Sequence, residues 1–364
     1  MAQNRPPLAK SFLVYDQYVL EPDGNREVHV DLGSSWNEFK MNNKMFFEVD
    51  WRTMIGHIPA LPGETSRATF TLATKFSMKC SRSFLKKLIK LELCGCCIGG
   101  LTEGMVRVFG PGKVKFWLRP EWILRMSDVG SVLFLDHLAQ NYRVAEHMIH
   151  RLFTVRGISH VPSDIRHLLG RIRNHFKHRQ SFPIHASLVP LINHPHLFKE
   201  LFDMLELFVD YADYREICAA IIRDLRSLGI DWRAAVRGNS LLCETYYYDK
   251  APNYELPVSI QDQIGDLYDL YAVPNDNSQL SQDELDAIDG HKLLTLLRNR
   301  LAHRIEALLR GHNSWNQLMH NFKALHSERV VRVKFLRVLA VIQTILHKRG
   351  YIGQQLMIDL DNLF

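Results

Sequence analysis

Apolar positions change their rhythm about a third of the way along the chain. Before Ser127 they alternate with polar residues or gather in short β-branched and aromatic stretches. Ser11–Leu20 (SFLVYDQYVL) is such a stretch; the turn residues EPDGN follow, and then REVHVDL, which alternates as a half-buried strand does. Met45–Trp51 (MFFEVDW), Ala68–Phe76 (ATFTLATKF) and Val106–Leu118, folded back at G-P-G-K, continue the strand pattern. Ser83–Leu91 (SFLKKLIKL) fits a helix or a strand, because so short an apolar run has no decisive period. Together these elements predict a mainly β domain over residues 1–125, a small sandwich or barrel.

From Ser127 onward the period is helical. Val132, Leu133, Leu135, Leu138, Val144, Met148, Ile149 and Leu152 recur at three- and four-residue steps within 129–155. Pro162-Ser163-Asp164 opens the next helix, with Ser or Asp able to cap its free N–H groups. Pro183, Pro190 and Pro195 mark a loop, after which 196–211 and 215–228 read as two more helices ending at Gly229. Tyr246–Pro257 reads as a connector. Beyond it 261–271 is helical, 274–283 is a polar loop, 291–309 is a helix, and 315–326 and 328–348 are two more. The order helix, helix, loop, helix, helix occurs twice. It predicts two tandem all-α bundle domains, at 126–245 and 255–364, and an α+β chain overall.

The two helical stretches also share residues. Asp164–Arg179 reads DIRHLLGRIRNHFKHR, and at an offset of 125 residues Asp289–Arg304 reads DGHKLLTLLRNRLAHR. Asp164/Asp289, Leu168/Leu293, Leu169/Leu294, Arg173/Arg298, Asn174/Asn299, His178/His303 and Arg179/Arg304 coincide. A chain of this composition throws up R-N-x-x-x-H by accident roughly 0.07 times. Two copies with matching flanks are therefore an internal repeat.

On a continuous α-helix Asn174 and His178 lie four apart on one face, as do Asn299 and His303, and a long arginine side chain reaches the same rim. Histidine takes or gives a proton near neutral pH, and arginine pairs with phosphate in a fixed fork. That inventory suits RNA cleavage by the 2′-hydroxyl. One group removes its proton, another protonates the departing 5′-oxygen, and the guanidiniums stabilise the phosphorane. The surroundings suit a polyanion too: no Asp or Glu occurs from Ile165 to Lys199, and between Gly290 and Ser327 the only acid is Glu306. Arg166, Arg171, Lys177, Arg179, Arg300 and Arg304 are the candidate RNA-binding cations, with His175, His185, His194 and His196 as weaker donors. Asp164 and Asp289 read as helix-start acids. Tyr246, Tyr247, Tyr248 and Trp315 are aromatics of the kind that stack bases or pack a linker.

The repeated R-N-x-x-x-H resembles the signature of the HEPN superfamily, helical domains that include many endoribonucleases. The resemblance covers about 128–350 and leaves 1–125 outside it. It implies metal-independent cleavage of single-stranded RNA to a cyclic phosphate at a composite site. Arg173, Asn174, His178, Arg298, Asn299 and His303 would be its catalytic residues. The arrangement is similar to that of type VI CRISPR effector nucleases, which carry two such motifs in one far longer chain. A defence or growth-arrest role, and a guide RNA or a regulatory protein as partner, are likewise what the resemblance implies. The alternative is a non-catalytic RNA- or nucleotide-binding protein using the same basic cleft.

Composition narrows this only a little. The net charge of +6 and pI of about 8.9 permit a polyanionic partner. No leader-like N-terminal stretch and no apolar run of roughly 20 residues is legible, which predicts no membrane association. Six cysteines read as reduced thiols, so the expected location is cytoplasmic. Cys80, Cys94, Cys96 and Cys97 are the one set to consider for a metal, but C-x-C-C is not a usual ligand spacing, so buried small residues at a strand end are the expectation. No metal or cofactor is expected.

Overall fold

The computed structural model describes residues 33–50, 54–55, 58–59, 69–190, 193–239, 242, 280–302, 330–331 and 333–352. The chain divides into two compact units, residues 1–47 with 73–188 and residues 48–72 with 189–364. Among the described residues helices dominate, and the sheets are small, antiparallel and confined to the N-terminal half. The chain is thus mixed α and β, as the change of rhythm predicts. No helix among the described residues is long and apolar enough to cross a membrane.

The first unit begins with β1 (Ser34–Ser35) and α1 (Trp36–Asn42). A reciprocal cap starts α1: the Glu38 amide donates to Ser35 Oγ at 3.2 Å, and the Ser35 amide donates to the Glu38 carboxylate at 2.7 Å. These bonds hold the Glu38 carboxyl below its ordinary pKa. Two of the expected strands follow in the chain, β2 (Phe46–Asp50) and β3 (Thr69–Ala73), which pair with each other; their residues between 48 and 72 belong to the second unit. Thr74 then caps α2 (Lys75–Leu93), its Oγ1 accepting from the Ser77 amide at 3.4 Å. The ambiguous run 83–91 is therefore helix. Met78, Phe84, Leu85, Leu88 and Leu91 form its buried stripe, a three-and-four rhythm that begins before Ser83.

Strands β4 (Cys96–Ile98), β5 (Val106–Phe109), β6 (Lys113–Phe116) and β7 (Ile123–Arg125) come next. β5 and β6 fold back at G-P-G-K as expected, with Val106 opposite Phe116 and Val108 opposite Val114, all four buried. β1 adds to the free edge of β5, and β4 pairs with β7. The hairpin tip lies directly on α2. A Cβ at Gly112 would sit 2.9 Å from the Cys80 amide nitrogen, and φ there is +121°, so the approach requires glycine.

Helix α3 (Ser131–Leu152) realises the predicted 129–155 periodicity. Trp36, wholly buried, donates its indole N–H to Met148 O at 3.0 Å, tying α1 to α3. Trp36, Phe84 and Phe116 meet edge to face at 5.6 Å, and Tyr142 meets Phe176 and Phe182 in the same way at 5.5 and 5.9 Å. A short hairpin, β8 (Thr154–Val155) with β9 (Ile158–Ser159), leads to α4 (Ser163–Asn174). So the region that reads as mainly β in sequence is built around a 19-residue helix, with small sheets packed beside it.

The second unit contains α5 (His194–Phe208), α6 (Tyr211–Ser227), α7 (Trp232–Arg237), α8 (Gln282–Ala302) and α9 (Leu336–Lys348). α6 and α8 pack so closely that a Cβ at Gly290 would meet Cys218 O at 2.3 Å. Acid–base pairs line this seam: Arg223 with Asp283 at 2.5 Å, Arg226 with Asp286 at 2.6 Å, and Arg215 with Glu284 at 3.7 Å. The segment 126–245, expected as one bundle, is shared between the two units: α3 and α4 lie in the first, α5, α6 and α7 in the second.

Candidate functional site

The first motif is carried by α4 and the turn that follows it. Ile165, Leu168, Leu169 and Ile172 point inward and seat the helix in the unit. Asp164 is buried in the first turn, as the helix dipole favours, and its Oδ1 accepts from the Ile165 amide at 2.8 Å. The N-cap position itself belongs to Pro162, which makes no side-chain cap bond; of the two expected residues it is Asp164 that takes up a free first-turn N–H, that of Ile165.

The α-helix ends at Asn174. His175 is its C-cap at φ −128°, ψ 42°, and residues 176–184 continue in 3₁₀ turns with a kink at His178 (φ −102°, ψ 19°). Asn174 and His178 therefore do not share a face of one α-helix, and that part of the expected geometry is corrected. The reason is local and tertiary at once. Asn174, His175, Phe176 and His178 are all weak helix formers. Phe176 docks against Tyr142, and Arg179 is drawn onto Glu92, so the chain gains more by turning than by continuing.

The cations of this copy differ sharply in surroundings. Arg173 is two-thirds exposed (67%) and donates to Glu146 of α3 at 2.6 Å. Arg166 and Lys177 are exposed, as an RNA-binding role requires. Arg171 is only 3% exposed, so in this conformation it cannot reach a phosphate from solvent. Arg179 is not a rim charge either. Its Nε and Nη2 contact both oxygens of Glu92 at 2.9 and 2.5 Å, its guanidinium lies 4.6 Å over the Phe176 ring, and its side chain is 19% exposed. The Tyr142 hydroxyl is buried nearby, and burial, reinforced by the Glu92 carboxylate, holds the phenol well above its ordinary pKa.

Of the weaker donors, His185 and His194 are buried (3% each) and do not line a surface; His196 is exposed and faces Glu200 at 3.8 Å. His185 Nδ1 accepts from the Ser187 amide at 3.2 Å, which leaves the proton on Nε2, 3.0 Å from His167 Nδ1. Burial first, then His167 and Arg171, push the His185 pKa well below its ordinary value.

Residues 289–300 of the second motif lie on α8, which begins nine residues before the expected start at His291. Its cap sits within the stretch that reads as a polar loop: the Glu284 amide donates to Ser281 Oγ at 3.3 Å, and the Ser281 amide donates to the Glu284 carboxylate at 2.9 Å. Asp289 is consequently mid-helix rather than a helix-start acid. It is buried, paired with Arg233, and accepts from Trp232 Nε1 at 3.3 Å. Burial raises its pKa and Arg233 counters the rise. Arg298 is half exposed (54%), 3.9 Å from Glu206 of α5, with its guanidinium 5.3 Å over Phe202. Leu293 and Leu294 are core, like their counterparts Leu168 and Leu169. The backbone of Asn299 and Arg300 belongs to α8; their side chains, together with His303, Arg304, Tyr246, Tyr247, Tyr248 and Trp315, lie outside the described residues.

Cys80, Cys96 and Cys97 are buried and Cys94 is exposed. Burial raises the thiol pKa at Cys80 and Cys96 and takes Cys97 to about 11, so these are neutral packing groups. Among the described residues no group of three or more His, Cys, Asp or Glu is placed to hold a metal ion.

Glu92, Glu146 and Tyr142 are absent from the sequence-derived site and touch it directly. No family model matches the chain, and no curated protein and no solved structure resembles it significantly.

Proposed function

We propose that the chain is a metal-independent endoribonuclease of the HEPN type that cuts single-stranded RNA, with its two R-N-x-x-x-H motifs supplying one reaction. The duplication carries this reading. Arg, Asn and His recur together at one offset, in flanks almost free of acids, while most of the intervening positions have diverged. The surroundings of the arginines support it. In each motif the guanidinium is at least half exposed and faces a glutamate from a neighbouring helix of its own unit, Glu146 or Glu206. A group that holds a carboxylate at the surface is suited to hold a phosphate oxygen there.

In the chemistry proposed, one imidazole takes the 2′-hydroxyl proton as the 2′-oxygen attacks phosphorus. The P–O5′ bond breaks, and the other imidazole protonates the leaving oxygen. The products are a 2′,3′-cyclic phosphate and a 5′-hydroxyl. Arg173 and Arg298 balance the charge that grows on the phosphorane.

The test is end-labelled single-stranded RNA incubated with the chain in EDTA, with the new ends identified. Cyclic phosphate ends are expected, and His178→Ala or His303→Ala should each slow cleavage about 100-fold or more. Undiminished cutting by the double variant would sink the proposal. RNA that is bound and never cut would leave the binding protein as the reading.

A further inference from the structure

Helix α2 carries Lys75, Lys79, Arg82, Lys86, Lys87 and Lys90 against a single acid, Glu92, which Arg179 occupies. At about 100° per residue, five of these cations (Lys75, Lys79, Arg82, Lys86 and Lys90) fall within an arc of about 80°. That arc lies opposite the buried stripe of Phe84, Leu88 and Leu91. Lys75, Lys79 and Lys90 are exposed, and Arg82 and Lys86 partly so. At 1.5 Å per residue the ridge runs about 22 Å.

Two other elements flank it. On one side the β5–β6 hairpin seats Gly112 against Cys80, and the Val114 amide donates to Ser83 Oγ at 2.8 Å, which brings the exposed Lys113 alongside. On the other side lies the 176–184 segment, where Pro183 O accepts from Arg82 Nε at 3.3 Å and Arg179 grips Glu92. That segment bears His178 and the exposed Lys177. The ridge and the first motif's histidine thus belong to one packed assembly.

Like charges at i, i+4 weaken a helix by a few tenths of a kcal/mol per pair. Helices α6 and α8 offset their charges instead, setting Arg215, Arg223 and Arg226 against Glu284, Asp283 and Asp286. A face kept only for solubility has no need of one sign. We propose that the α2 ridge is a docking surface for the backbone of single-stranded RNA, which it aligns with the segment carrying His178. The choice of RNA among polyanions rests on the nuclease reading above. Lysines act on phosphates as point charges, so this docking is indifferent to base sequence and sensitive to salt.

The experiment measures affinity for a fluorescein-labelled 20-nucleotide single-stranded RNA by anisotropy, in EDTA and at several salt concentrations. The full chain is compared with Lys79→Gln/Lys86→Gln/Lys90→Gln. The triple variant is expected to bind at least tenfold more weakly, with a slope of log affinity against log salt shallower by about 2, from roughly 0.7 per phosphate contact. Unchanged affinity and slope overturn the proposal. Thermal melting followed by circular dichroism controls for folding. If the triple variant has lost helix, Lys79→Gln and Lys90→Gln are measured singly, each expected to weaken binding about threefold, and no weakening in either overturns the proposal. Sedimentation with phosphatidylcholine–phosphatidylserine vesicles is the competing arm: tighter, ridge-dependent binding to vesicles than to RNA also overturns it. Ridge-dependent binding without cleavage sinks the nuclease reading and leaves the ridge standing. Cleavage with ridge-independent binding does the reverse.

Discussion

The two motif helices share a vocabulary and differ in how they are held. α8 runs unbroken from Gln282 to Ala302, opened by a reciprocal Ser281–Glu284 cap and pressed against α6 at Gly290. α4 lasts twelve residues, starts without a side-chain cap, and gives way at Asn174 to 3₁₀ turns that its neighbours hold by Phe176, Arg179 and Arg82. In α8 the motif's acid, Asp289, is a mid-helix anchor for Arg233; in α4 its counterpart Asp164 sits in the first turn. One residue pattern has therefore been fitted into two scaffolds. The repeat lies in the chemistry of the side chains more than in the backbone around them.

The glycines put that contrast at its sharpest. Gly290→Ala drives a Cβ to within 2.3 Å of Cys218 O, in backbone that cannot swing aside. Destabilisation of the second unit by about 3 kcal/mol is expected, near the top of the usual overpacking range, and denaturant unfolding measures it. A loss below about 1 kcal/mol would mean that α6 and α8 pack less tightly than described.

A smaller effect separates the copies by pH. His185 is buried neutral beside His167 and Arg171, and the position that matches His167 in the second copy is Lys292. Because the folded pKa is depressed below 6.5, the contribution of His185 to stability is complete above that value. It is lost as pH falls below it, by up to about 1.4 kcal/mol per pH unit for the one proton. Melting of the wild type should therefore fall more steeply between pH 6.5 and 5 than that of His185→Asn. Parallel curves would remove His185 as the cause.

The smallest change runs the other way. A Cβ at Gly170 of α4 meets nothing within 4 Å, so Gly170→Ala should stabilise the first unit by about 1 kcal/mol through helix propensity alone. Its melting temperature should rise by a few degrees, where that of Gly290→Ala falls.

Much of this was readable beforehand, and the exceptions have physical reasons. The β5–β6 hairpin followed from G-P-G-K between alternating runs, and α3 from its leucine spacing. The α2 ridge is hidden in the sequence because a strand pattern ends at Phe76 and a separate apolar run starts at Ser83, so the 75, 79, 82, 86, 90 spacing straddles two patterns. Ser281–Glu284 has the form of a capping box, but Ser, Gln and Asp also compose a polar loop, and the loop reading hid the helix start. The partners of the arginines could not be read at all. Glu146 lies 27 residues from Arg173 and Glu92 lies 87 residues from Arg179, and no local pattern spans such separations.

The Arg179–Glu92 contact has an electrostatic side as well. Glu92 is the only carboxylate on a helix otherwise carrying six positive charges, and a residue from a different segment cancels it. Deleting that arginine would turn a neutral pair into a bare anion at the end of the lysine row, so an approaching phosphate would meet one net negative charge where it now meets none.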